Sequence, residues 1–117
     1  MSRRSKACEF SPEARARIRA RDNDRCIFCQ LGFHLPPEEF TATQETQIMH
    51  FIPRSQGGLG IPENGAVGCI YHHMLLDNGR DTRDKMMELF EAYLRIQYDG
   101  WDKKKLVYDK WSWLKGG

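Results

Sequence analysis

The chain has 117 residues, 40% hydrophobic, 29% charged and 11% aromatic, with a formal net charge of +2. That is room for one compact domain and excludes a wholly disordered or collagen-like chain. No apolar run approaches the roughly 20 residues of a bilayer span, and the basic start lacks the apolar stretch of an export signal, so a cytoplasmic protein is expected.

Charge is unevenly spread: +4 over residues 1–25, −5 in the middle and +3 over 100–117. A basic arm and tail around an acidic centre suit a polyanionic partner with cation-binding groups between them. Residues 1–25 read as that arm followed by a helix. Ser11 is an N-cap, Pro12 sits at the first helical position and Glu13 in the first turn, and Asp22-Asn23-Asp24 ends the helix after Arg21.

Cys26-Ile-Phe-Cys29 follows as a C-x-x-C knuckle, and Cys69-Ile-Tyr-His72 repeats the spacing with histidine in the last place. In a reducing compartment four cysteines favour metal over disulfides. Two such pairs converge tetrahedrally on Zn²⁺, each closed by a tight turn. Cys8 and His34 are the spare thiol and imidazole, and either could replace His72 as fourth ligand.

Residues 30–44, with Pro36-Pro37, read as a loop. Thr46 to Ile52 is rich in strand formers and is ended by Pro53. Three glycines between Gly57 and Gly60 demand a closely turning backbone. A second strand over 65–69 runs back along the first and feeds a short helix over 70–77, terminated by Asn78-Gly79. From Thr82 to Tyr98, Met86, Leu89, Phe90, Tyr93, Leu94 and Ile96 recur at helical spacing, an amphipathic helix of about four turns. Trp101, Trp111 and Trp113 read as packing anchors.

The segments Met49-His50-Phe51-Ile52-Pro53-Arg54-Ser55-Gln56-Gly57-Gly58, Pro62-Glu63-Asn64-Gly65 and Cys69-Ile70-Tyr71-His72-His73 together resemble the HNH endonuclease family, in its small, phage-type, zinc-knuckle form. The resemblance covers residues 26–79. It implies an α+β fold with a ββα-metal (His-Me finger) core at 26–79, a structural zinc, and a C-terminal helix and tail over 80–117 packing on that core within one domain. It implies further a phosphodiester hydrolase acting on DNA, double-stranded above all, in a bacterial or phage-infected cell, with a protein partner for specificity left open.

The residues suit that chemistry. His50 titrates near neutral pH and is the natural general base. On the helix His73 and Asp77 stand at i and i+4, so both project from one face and can hold a hydrated Mg²⁺ or Mn²⁺. Such a cation would stabilise charge on the phosphate and the departing 3′ oxygen. The resemblance implies that Asn64 fixes the loop that orients His50 or touches the metal, and orientation is the reading preferred. Arg54 is a candidate phosphate clamp, its alternative being a solvated loop arginine.

Two departures stand out. Met49 occupies the place where the family commonly has an Asp or His metal ligand, and a thioether is a poor ligand for Mg²⁺. That coordination place falls to water, to Asn64 or to another residue. His72 stands where the zinc knuckle usually has Cys. Adjacent helical residues point about 100° apart, so His72 is assigned to zinc and His73 to the catalytic cation. The competing expectation, for which Met49 is the best argument, is a catalytically inactive zinc-stabilised nucleic-acid-binding or adaptor module on the same scaffold.

Overall fold

Ser2 and Ser11 each open a helix by accepting a backbone N–H three residues on, from Ser5 and Ala14. The first helix, α1 (Arg3–Ala7), lies within the basic start of the chain. The second, α2 (Pro12–Arg21), buries Ala14 and Ile18. The computed structural model describes residues 2–41 and 45–109.

After α2 the chain reverses through Asn23 and Asp24, whose φ angles are 59° and 53°. Asp22, read from sequence only as a terminator, is fully buried. Its carboxylate accepts from Arg21, from Tyr93 and from the Val67 N–H. Arg21 in turn donates to the carbonyls of Pro62 and Gly65 and to Tyr98. Paired and hydrogen-bonded in this way, a fully buried carboxylate and a partly buried guanidinium are tolerated.

Residues 30–44, expected as a loop, contain the single turn α4 (Glu38–Thr41), which follows an equally short α3 (Ile27–Gln30). Pro37 O accepts the Phe40 N–H at 2.9 Å, and Glu38 and Glu39 suit the positive end of the turn.

Two five-residue strands, β1 (Thr46–His50) and β2 (Gly65–Cys69), pair antiparallel. Strand β1 stops at His50, short of the expected Ile52. Beyond it the Phe51 N–H goes to Asn64 O and the Ile52 N–H to Asn64 Oδ1, both at 2.8 Å. The loop between the strands is tight: a Cβ on Gly58 would lie 1.7 Å from Ile52 O. The C-terminal segment braces this loop, with Leu59 N donating to Leu106 O and Tyr108 N to Gly57 O, each at 2.8 Å.

Helix α5 (Ile70–Asn78) leaves β2 directly and closes with Gly79 N on Leu75 O at 2.7 Å. Helix α6 (Arg83–Gln97) buries Met86, Phe90 and Leu94. Ile96, expected in the apolar stripe, is 81% exposed; two residues on from Leu94 puts it about 200° round the helix.

Alternation along the sheet feeds two cores. Ile48 and Val67, paired opposite each other, pack with Phe10, Ala14 and Ile18 of the N-terminal side. Met49 and Ala66, the next pair, join the larger cluster with Phe28, Phe51, Phe90, Leu94 and Trp101. Trp101 also donates its indole N–H to Glu63 O at 2.8 Å; Trp111 and Trp113 lie outside the described residues. The result is a small mixed α/β fold with a two-stranded antiparallel sheet. Among the described residues no helix is long and apolar enough to cross a membrane.

Candidate functional site

The two knuckles meet. Cys26 precedes α3, Cys29 lies within it, Cys69 caps α5 and His72 sits in its first turn, and the four ligand atoms all lie within 4.8 Å of one another. Zinc at ordinary bond lengths sets tetrahedral edges of about 3.8 Å between sulfurs and about 3.6 Å from sulfur to nitrogen. Here Cys29 Sγ and Cys69 Sγ are 3.9 Å apart, and His72 Nδ1 lies 3.4, 3.5 and 3.2 Å from the sulfurs of Cys26, Cys29 and Cys69.

His72 is fully buried, and its Nε2–H donates to Phe33 O at 2.6 Å. That bond fixes the tautomer and turns the Nδ1 lone pair toward the three sulfurs. The thiol of Cys69 is driven down to about 3 by its hydrogen bonds with Cys26 and then His72, whereas contact with Cys69 and burial push Cys26 up. Burial raises Cys29 as well. A full set of thiolates in this space therefore calls for a cation. The donor set fits a structural zinc.

Neither spare candidate joins this cluster. Cys8 is buried, with its carbonyl accepting from the His50 ring, and His34 packs edge-on to Phe33 at 4.4 Å.

A cleft of about 220 Å³ is lined by His50, Arg54, His73, Asp77 and Arg83 together with apolar side chains that include Ile48 and Leu76. His50, the last residue of β1, is half-buried with its ring 4.3 Å from that of Phe10. Its Nε2–H donates to Cys8 O at 2.8 Å, which leaves Nδ1 as a lone-pair acceptor. Burial lowers the His50 pKa from its ordinary 6.5, and the nearby Arg54, Arg15 and His73 lower it further, against the opposing pull of the Cys8 carbonyl.

On α5, His73 Nδ1 donates to Gln47 Oε1, so its Nε2 lone pair faces Asp77 Oδ2 at 3.5 Å. A lone pair aimed at a carboxylate is favourable once a proton or a cation lies between them.

Asn64 is fully buried and does not face the cleft. Its Oδ1 accepts from Ile52 N, and its Nδ2 donates to Ile52 O and Leu59 O at 3.1 and 2.8 Å. The amide is spent on the backbone, so the coordination place left open by Met49 does not fall to it. Met49 itself lies in the larger core, fully buried, where a Cβ on Gly68 would come within 2.3 Å of its sulfur.

Sequence reasoning missed Gln47, Arg83, Phe10 and the Cys8 carbonyl. Gln47 and Arg83 carry no motif of their own, and a backbone carbonyl leaves no mark on residue identity. Compared with protein-family models, with curated proteins and with solved structures, the chain has no match in any of the three.

Proposed function

We propose that the protein is a metal-dependent endonuclease of the HNH type that hydrolyses DNA phosphodiester bonds. The observation that carries this reading is the single cleft shared by His50, His73 and Asp77, with the two imidazoles locked in tautomers that turn lone pairs outward.

In this reading His50 Nδ1 takes a proton from the attacking water. Its depressed pKa keeps it neutral at physiological pH, the state a base needs. His73 Nε2 and Asp77 Oδ2 would hold a divalent cation, Mg²⁺ or Mn²⁺, for which an imidazole and a carboxylate are suitable donors. When bound, that cation supplies positive charge to the phosphate and the departing 3′ oxygen. Arg54 and Arg83 flank the cleft and attract the same oxygens. Asn64 holds the loop that begins one residue after His50. A zinc held by Cys26, Cys29, Cys69 and His72 would staple α3 to the β2–α5 junction, where burial alone is thin.

The test is nicking of supercoiled plasmid with Mg²⁺ or Mn²⁺. His50→Ala is expected to lose at least about 100-fold in rate while keeping one zinc per chain. Equal nicking by that variant rejects His50 as the base. Wild-type protein that binds DNA but never cuts it, whatever the cation, points instead to the inactive adaptor, a reading that the burial of Met49 in the core favours.

A further inference from the structure

Next to the catalytic cleft lies a second depression of about 270 Å³, lined by Arg4, Ser5, Cys8, Arg54 and Ser55. Arg54 belongs to both. The two arginines come from elements fifty residues apart in sequence and reach across to each other's backbone. Arg4 Nη2 donates to Ser55 O at 3.2 Å, and Arg54 Nη2 to Ser5 O at 3.4 Å. This reciprocal strap holds both guanidiniums at the rim and costs each only one of its N–H donors.

Among the described residues neither arginine has a carboxylate partner. Asp77 is the one carboxylate lining the catalytic cleft, and none lines the second depression. Two exposed cations strapped side by side repel, and the arrangement is relieved by an anion bound between them. Guanidinium forks match phosphate oxygens in particular. Because Arg54 forms the shared wall, an anion in the second depression and one over His50 would be successive charges of one ligand.

We propose that Arg4 and Arg54 form a phosphate subsite that takes the DNA phosphodiester adjacent to the one hydrolysed at His50. The proposal rests on the endonuclease reading for the identity of the ligand. It gives α1 a task outside the segment that resembles the nuclease family: a positioning contact on the strand being cut.

The experiment is binding of a labelled DNA duplex of about 20 base pairs to the full chain, followed by anisotropy across a salt series with no divalent ion added. Each phosphate neutralised contributes about 0.9 to the slope of log K against log salt. Arg4→Gln is therefore expected to bind more weakly and with a slope shallower by about 1, Arg4→Lys to keep the wild-type slope, and each to retain one zinc. Ser55→Asp, which leaves the backbone carbonyl in place and adds a carboxylate to the depression, should weaken binding in the same way even if Arg4→Gln proves unstable. Wild-type slopes in both Arg4→Gln and Ser55→Asp, or no DNA binding by the wild type, overturn the subsite. The two readings separate cleanly. A slope change in a protein that never nicks removes the endonuclease and keeps the subsite, whereas nicking with unchanged slopes removes the subsite alone.

Discussion

Each of the three histidines around the sheet commits one ring nitrogen to a carbonyl oxygen: His50 to Cys8, His72 to Phe33 and His73 to the Gln47 amide. A carbonyl only accepts, so the bonded nitrogen carries the proton and the other presents its lone pair. In each imidazole the second nitrogen is thereby left able to take a proton or a metal ion, without any change of residue type. For His50 the consequence is measurable. Burial and the Arg54 and Arg15 charges favour its neutral form, so the acid limb of cleavage against pH is expected to have its midpoint below 6.5. Arg54→Gln removes a cation that disfavours protonation, and the midpoint should move up toward 6.5. A limb at or above the ordinary histidine value in the wild type would contradict this environment.

Between the strands, the loop over 51–64 owes its shape to one amide. Asn64 makes three bonds to the backbone in a fully buried setting, and removing it strands a buried N–H and two carbonyls. Asn64→Ala is expected to lower stability by about 2–4 kcal/mol in urea unfolding, with zinc retained; a loss under about 0.5 kcal/mol would show that the loop holds itself. The same amide explains why β1 is shorter than its composition suggests. Strand formers continue to Ile52, and the Phe51 N–H still makes its in-register bond to Asn64 O, but the Asn64 side chain takes the Ile52 N–H, and a partner twelve residues away leaves no local signal. Helix α2, by contrast, was legible because Ser11, Pro12 and Glu13 write its start into adjacent residues, and β2 because glycine and the second knuckle bound it on either side. The single turns α3 and α4 are too short to show a period.

The Cys26, Cys29, Cys69 and His72 cluster and the cleft lined by His50, His73 and Asp77 are both built from the sheet and α5. The knuckles were readable from spacing alone, since C-x-x-C and C-x-x-H carry their geometry with them, and the four ligand atoms do cluster. The cleft was readable only in part. His73 and Asp77 follow from an i, i+4 pair, whereas the contribution of the N-terminal segment, Phe10 against the His50 ring and Cys8 O on its Nε2, depends on a chain reversal that brings residues about forty apart together. That reversal is held by the Arg21–Asp22 pair and by Gly60, whose N–H donates to Ala7 O and where a Cβ would lie 2.2 Å from Glu9 O. Function on this account needs both cations at once, one closed off and structural, the other open beside His50. The most direct test is anomalous diffraction from crystals grown with Mn²⁺, recorded at the zinc and manganese edges. The account predicts zinc among Cys26, Cys29, Cys69 and His72 and manganese between His73 and Asp77; an absence of zinc from well-folded protein, or manganese bound anywhere but beside His73, would contradict it.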